Sequence, residues 1–529
     1  MISNGLPLGC EKSKRGATIN YAKEFRNLVK NEKIEYKHAL FFRGKASTYG
    51  QLIDESDKVA SALFTECGVR KGDSVGIYMS NSPEVITTFF GIMRLGAIAV
   101  PINTLLTRYE IKPYLEETKA GTIFVSPSYL PTVEQMKPEL PNLKNVIVVS
   151  KEAGQGTVSY FELLRKVKSP PPEVEVEDDA VALIFFTSGT TGKPKGVMLT
   201  PRGLMSVVEG QRELIYEPLG ETVTVLVGMP LTHIWALNTI TVSSLFRKSP
   251  VVIEEAFVPE ETAKDIETYR VSLVWGVPYV FLRLLELTDK YDMSSIEVAF
   301  LAGQVVPDEL WQKIEKAFGC YGVEGYGLTE GSGHTVSTPL GQRRPGSTGT
   351  PFPGTEIKIV DDNGKELPRG EVGEIIQKSA ANMKGYLNMP EVTAATLKNG
   401  WLYTGDLGKL DEDGNLYIAG RKKELIKRGG YNVYPTEIES VILEHPKVSE
   451  AAVFAVNDAL KGETVGAAVF PKAGEKITEE ELCNYCQERL ARYKVPKHIR
   501  IMESPLPKTP TGKVLKIALQ EEMNKELTG

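Results

Sequence analysis

Between residues 36 and 125, short apolar runs alternate with longer stretches in which apolar positions recur every three or four residues. DSVGIYMS (73–80) predicts a strand, SPEVITTFFGIMRLGA (82–97) a helix and IAVPIN (98–103) the next strand. GTIFVSP, NVIVVS and AVALIFFTSG continue the rhythm. Strands that are apolar throughout, separated by helical stretches, belong to an α/β domain with largely buried strands. The texture changes after about residue 345. GTPFPGTEIKIVDDNGKELPRGEVGEIIQKS (349–379) is rich in Gly and Pro, with short alternating runs and a D-N-G turn, which predicts a β-rich subdomain.

Beyond Gly420 a charged stretch, RKKELIKRGG (421–430), precedes a compact α+β pattern. PTEIESVILEH and TEEELCNYCQERLARY read as helices there, and AAVFAV and TVGAAVFPK as strands. The predicted fold class is therefore α/β: a large N-terminal unit (1–420) of α/β-layered subdomains plus a β-rich subdomain, then a small α+β C-terminal unit (421–529). The segment PPPEVEVEDDA (170–180) reads as a surface linker.

Composition narrows the function classes. At 529 residues the chain is long enough for two or three domains, and its 42% hydrophobic and 25% charged residues are those of a soluble globular protein. A net charge of -6 argues against nucleic acid as a partner. Thr222 to Phe246 carries no formal charge and is long enough to span a bilayer. Its Pro230, His233, Asn238 and several hydroxyl residues fit a buried strand and helix better. The start, MISNGLPLGCEKSKRG, lacks the apolar core of a secretory signal, so the expected compartment is the cytoplasm. The sequence leaves room for a peripheral membrane contact and for a homodimer. Five cysteines, odd in number, imply no disulfide framework, and Cys483 and Cys486 read as two thiols on one helix.

The most informative segment is Thr187-Ser188-Gly189-Thr190-Thr191-Gly192-Lys193-Pro194-Lys195-Gly196, directly after VALIFF. Its glycines, hydroxyls and two lysines suit a loop that wraps nucleotide phosphates. It is not a Walker A loop, because that spacing fails and Pro194 follows Lys193. Four more segments follow in order: Y-G-L-T-E (326–330), Y-T-G-D (403–406), G-R-K-K-E-L-I-K-R-G-G (420–430) and P-K-T-P-T-G-K (507–513). Each is weak alone, but with the loop they make five in sequence. On these the chain resembles the adenylate-forming superfamily of acyl-CoA synthetases, peptide-synthetase adenylation domains and beetle luciferases, over about Tyr36 to Lys516.

The resemblance implies ATP, Mg2+ and coenzyme A, with a small-molecule carboxylic acid as the fourth participant. Tyr326 would offer its ring to adenine, with Gly303 and Gln304 of LAGQVVP along the base's other side and Gly327 and Ile418 also at the nucleotide. Thr329 would donate to the α-phosphate, and Glu330 would be a hard oxygen ligand for Mg2+. Asp406 would accept the ribose hydroxyls, with Arg421 beside it and Lys427 at the adenylate. Lys513 would bridge the acid's carboxylate and the phosphates as charge builds in the transition state.

For the second step, the resemblance implies a mobile C-terminal unit turning about Lys423, with Gly429 and Gly430 lining the pantetheine channel. His233, in P-L-T-H-I-W, would gate the carboxyl end of the acid, and Trp235, Trp275 and Val277 would line its pocket. The expected reaction is acid–CoA ligation, with a medium- or long-chain fatty acid ahead of an aryl or arylpropenoic acid. A luciferase-like oxygenase, an acyl-AMP ligase and a catalytically silent acyl-nucleotide sensor are the alternatives. Glu324 departs from the Gln that relatives often carry there, and GQVVP lacks the commoner second glycine. Both bear on the shape of the acyl pocket.

Overall fold

The computed structural model describes residues 18–528, except 188–193, 221–222, 303–305, 307, 429–430, 459–461 and 509–513. Two large sheets organise the N-terminal part. The first has eight strands, and its centre is parallel. Ser74–Tyr78 lies between Ile98–Pro101 and Thr122–Val125, and Asn145–Val148 extends it outward. Every residue of Ser74–Tyr78 and Thr122–Val125 is buried, which is why these runs show no alternation. On the other flank Leu183–Thr187 turns back antiparallel as Lys195–Leu199, and Gly385–Tyr386 closes that edge.

The second sheet has nine strands. Its parallel heart runs from Val251–Ile253 through Val225–Val227, Leu273–Gly276 and Val298–Ala302 to Tyr321–Leu328. Gly333–Ser337 then pairs antiparallel with Tyr321–Leu328. One continuous core draws side chains from both sheets and from the helix Pro83–Arg94, with Phe25, Phe89, Phe90 and Phe246 at its centre. Phe25 stacks on Phe90 with ring centres 4.6 Å apart.

The uncharged stretch that ends at Phe246 holds the buried strand Val225–Val227 and a buried helix, and the helix has an unusual winding. Trp235–Val242 is a π-helix, continued by the α-helix Ser243–Phe246. Hydroxyls sustain the wider turn: Thr241 Oγ1 donates to the Ala236 carbonyl (2.8 Å) and Ser243 Oγ to the Asn238 carbonyl (3.0 Å), each five residues back. Among the described residues, no helix is long and apolar enough to cross a membrane.

After residue 345 the chain forms the expected β-rich unit, a five-stranded sheet. Glu356–Val360, Gly373–Lys378 and Trp401–Leu410 pair in antiparallel order, and Leu416–Arg421 adds to the last of these. The C-terminal part has its own sheet of five strands, around Val448–Asp458 and Gly462–Pro471. It also has its own core, with Ile438, Val453, Val465, Leu482 and Cys486. Cys483 and Cys486 lie on the helix Glu479–Arg489, where Cys486 is fully buried and burial pushes its thiol up to about 11.

Candidate active site

Local chain chemistry brings a tyrosine, an aspartate and an arginine together. Thr404, Gly405 and Asp406 interrupt the pairing of Trp401–Leu410 with its neighbour. Gly405 takes φ +72°, a left-handed value that glycine tolerates. Thr404 Oγ1 accepts from the Asp406 amide (3.1 Å) and donates to the Ile375 carbonyl (2.7 Å), which fixes the kink. Asp406 is thereby aimed at Tyr326, whose hydroxyl donates to Asp406 Oδ2 at 2.7 Å. Register puts Arg421 opposite Asp406, and the Arg421 Nε lies 3.3 Å from Asp406 Oδ1. Burial first, and the Asp406 charge next, hold the Tyr326 phenol well above its ordinary range, so it stays a neutral donor. Ile418 packs on the apolar cluster that includes Tyr326.

Past Tyr326 the strand ends at Leu328, and Thr329–Gly331 forms a single 3-10 turn. Thr329 and Glu330 are both half-buried on that turn. Glu330 Oε1 accepts a hydrogen bond from the Tyr386 hydroxyl at 2.9 Å. Lys195, half-buried, holds its ammonium 5.0 Å from the centre of the same tyrosine ring. Thr187 pairs directly with Lys195, so the segment between them joins two adjacent antiparallel strands. A half-buried carboxylate on a tight turn beside a threonine hydroxyl fits an oxygen-preferring divalent ion, which commonly takes one or two carboxylates and otherwise phosphate oxygens and water.

A third group is aromatic. Trp235 and Trp275 meet edge to face with ring centres 6.1 Å apart, and Trp275 stacks on Phe300 at 3.8 Å. The His334 ring lies 5.3 Å from Trp235 and 5.3 Å from Phe300. Burial first, and His233 next, push His334 down to about 3, so its imidazole is neutral at ordinary pH. His233 is half-buried at the entry to the π-helix, and its Nδ1 accepts from the Trp235 amide at 3.3 Å. Val277 is half-buried and caps the helix Pro278–Leu285.

The strand Tyr321–Leu328 separates the aromatic group from the first. Tyr326 points to Asp406, whereas a Cβ on Gly325 would come within 2.9 Å of the His334 ring, and Gly327 pairs with His334 in the register. Glu324 shares neither group. It is buried near Trp311 and Arg343, and burial pushes its carboxyl up to about 8. Its carboxyl thus faces Trp311 and Arg343 rather than Trp235 and Trp275.

Lys423 lies in the field of both Asp406 and Lys195. Its ammonium is held below the usual lysine range by desolvation first and by Arg421 next, with Asp406 opposing. Lys427 is exposed, and its backbone amide donates to Glu463 at 2.7 Å within the C-terminal part. Ser188, Gly189, Thr190, Thr191, Gly192, Lys193, Gly303, Gln304, Gly429, Gly430 and Lys513 lie outside the described residues. Sequence reasoning missed Tyr386 and His334. Each is a single residue whose partners lie far along the chain, and neither has a spacing signal.

The family model described as AMP-binding enzyme matches residues 29–387, and that described as AMP-binding enzyme C-terminal domain matches residues 437–513. A long-chain-fatty-acid–CoA ligase of Bacillus subtilis (strain 168) is 35% identical over 517 residues, covering 92% of each chain. A 4-coumarate–CoA ligase 2 of Nicotiana tabacum is 33% identical over 491 residues, covering 90% of this chain and 89% of the relative. Among solved structures, the anthranilate CoA ligase AuaEII in complex with anthranoyl-AMP superposes with a TM-score of 0.90 at 28% identity, covering 98% of this chain and 99% of its own. With both family models matched in order and relatives aligned over nearly their whole length, the chain belongs to the AMP-binding enzyme family and, within it, to the acyl-CoA ligases.

Proposed function

We propose that the chain joins a hydrophobic monocarboxylic acid to coenzyme A in two ATP-driven steps. In the first, a carboxylate oxygen attacks the α-phosphorus in line, the bond to the β-phosphate bridge breaks, and pyrophosphate leaves an acyl-adenylate. In the second, the CoA sulfur attacks the acyl carbon and its proton is released. The carbon–oxygen bond to AMP then breaks. The observation that carries this reading is the convergence of Tyr326, Asp406 and Arg421 at 2.7 and 3.3 Å, with Thr329 and Glu330 three and four residues past Tyr326 on the turn that ends its strand.

In this reading Asp406 and Arg421 take the ribose, Tyr326 the base and Thr329 the α-phosphate. Lys195 and the loop before it take the outer phosphates. Glu330 would hold Mg2+, which supplies positive charge along the phosphate chain. Lys513 brings a cation to the reacting carboxylate and phosphate in the first step, and the C-terminal unit turns about Lys423 to open the thiol path for the second. A neutral imidazole at His334 adds no positive charge to the aromatic group, which suits an uncharged tail.

For the acid we favour a medium- or long-chain fatty acid, on the apolar walls and the similarity to the Bacillus ligase. A second reading, an aryl acid, draws on the stacked rings of Trp275, Phe300 and His334, which offer flat surfaces to a flat substrate. The described cysteines are free thiols, which suits a reducing compartment, and we place the protein in the cytoplasm. Acid-dependent ATP–pyrophosphate exchange, followed by thioester formation over a panel from acetate to palmitate and coumarate, tests the proposal. Exchange is expected only with acid present, rising with chain length. ATP binding without exchange would make the chain a silent sensor, and a peak at coumarate would select the second reading.

A further inference from the structure

Tyr386 has no assigned role, yet it touches two groups that the proposed reaction needs. Three backbone bonds hold its segment in place. The Met383 amide donates to the Glu330 carbonyl at 2.7 Å, the Lys384 amide to the Met198 carbonyl at 2.8 Å and the Leu387 amide to the Gly196 carbonyl at 2.7 Å. This short piece of chain therefore clips the Glu330 turn to the strand Lys195–Leu199. Gly385 takes φ +152° with the Thr393 side chain 2.7 Å from where its Cβ would lie, so only glycine fits before the tyrosine. The Tyr386 amide donates to Thr393 Oγ1 at 2.9 Å, which fixes the residue further.

The side chain is 6% exposed, so its hydroxyl must find a partner, and that partner is a carboxylate. A phenol donating to an ionised carboxylate is a charge-assisted bond and restricts where that carboxylate can point. The opposite resource, the ring face, meets the Lys195 ammonium at 5.0 Å. One rigid ring thus stands between a cation at the base of the phosphate loop and the carboxylate proposed for the metal. Its hydroxyl serves one and its face the other.

We propose that Tyr386 is a positioning residue that sets the spacing between Lys195 and Glu330, and with it the geometry in which ATP and its divalent ion are held together. The proposal rests on the reading that Glu330 faces the metal. It predicts that the hydroxyl acts through the metal alone, whereas the ring face acts on the nucleotide directly through Lys195.

The test is equilibrium binding of ATP without acid, followed by calorimetry at graded Mg2+, for the parent, Tyr386→Phe, Glu330→Gln and the double variant. Phenylalanine keeps the ring for Lys195 and for the core and removes only the hydroxyl. Its half-saturating Mg2+ should rise about tenfold, as for loss of one hydrogen bond to a charged group, while affinity for metal-free ATP stays within about twofold. In the double variant the phenylalanine should add nothing to the shift produced by Glu330→Gln, because both act through one carboxylate. If Glu330→Gln moves the Mg2+ dependence and Tyr386→Phe does not, Tyr386 is a packing residue and the proposal fails. Equal loss with and without metal in Tyr386→Phe would also overturn it, since that marks a general disturbance of the fold. If neither variant moves the Mg2+ dependence, it is the reading of Glu330 that falls, and the role of Tyr386 falls with it.

Discussion

The two sides of the strand Tyr321–Leu328 are built on different principles. On one side Tyr326, Asp406 and Arg421 are joined by directed polar contacts at 2.7 and 3.3 Å. On the other, Trp235, Trp275, Phe300 and His334 are held by ring packing at 3.8–6.3 Å. Directed contacts fail when an atom moves by half an ångström, so residue type and register are dictated together. Ring packing tolerates exchange of one bulky group for another, provided the volume is kept. The first side suits a ligand that never varies, and the second a ligand that differs between related enzymes. If the polar side holds the nucleotide and the aromatic side the acid, as proposed, disruption of the first should cost reaction with every acid alike and disruption of the second should re-rank acids.

The largest effect is expected at Lys513. Lys513→Ala should lower acyl-adenylate formation by about 10²–10³ for every acid in the panel, as for removal of one transition-state contact. Thioester formation from supplied acyl-AMP should survive. Rapid-quench assays of the two half-reactions check this, and equal damage to both would rule out a role confined to the first step.

Next comes the polar side itself. Asp406→Ala leaves the buried Tyr326 hydroxyl without its acceptor and Arg421 without its carboxylate. ATP affinity should fall by roughly 10- to 100-fold, matching 1.5–3 kcal/mol for a hydrogen bond to a charged group. The KM for the acid should move little. An acid KM that rises as far as that for ATP would mean the strand does not insulate the two sides.

Trp235→Ala should have the reverse signature and a smaller size. Removing a ring that is 6% exposed opens space against Trp275 and His334, so the ranking of acids should shift by about tenfold toward bulkier tails. ATP affinity should hold within twofold. Steady-state competition between octanoate, palmitate and coumarate reads this directly. An unchanged ranking would place the tail elsewhere.

The same contrast explains what was legible in the sequence. Runs such as those at 74–78 and 122–125 announce buried strands because they carry no charge and no alternation, and the D-N-G turn announces the β-rich unit. Asp406 was legible through the Y-T-G-D motif and the resemblance it carries, and the structure shows why the motif is short: Thr404 and Gly405 build the kink that aims it. Tyr386 and His334 were not. Glu330 lies 56 residues before Tyr386, and no local pattern requires a tyrosine after Gly385. His334 sits in G-S-G-H as any small polar loop might, and only the register with Gly327 turns it toward the tryptophans. The π-helical winding was hidden for a similar reason. Thr241 and Ser243 are unremarkable in a helix until their hydroxyls are seen to reach back five residues.

The smallest effect on catalysis, and the finest test of the two-sided reading, concerns a pair of buried carboxyls. Burial pushes both Glu254 and Glu324 up to about 8. Glu324 stands two residues before Tyr326 on the strand Tyr321–Leu328. Glu254 belongs to the loops that carry His233. Its Oε2 accepts from Thr262 at 2.9 Å and lies 2.6 Å from where a Cβ on Gly228 would be. Asn81 binds the Glu254 and Met229 carbonyls at 2.9 and 2.8 Å and accepts from the Leu231 amide at 2.7 Å. Because the folded-state pKa of Glu254 is raised, its contribution to stability is fully present below the unfolded value of about 4.3. That contribution declines as pH climbs to about 8 and is flat beyond. Glu254→Gln removes this slope. Parent and variant should unfold alike near pH 4.5, and the variant should gain by a few kcal/mol at pH 8.5, on the order expected for a carboxyl shifted this far. Urea unfolding at the two pH values measures the difference. At pH 7 the turnover of Glu254→Gln should change less than twofold, with any change confined to the acid KM, because this carboxyl lies between the helix that carries Thr262 and the loop from Gly228 that leads to His233. A change confined to ATP would break the assignment of that loop to the acid.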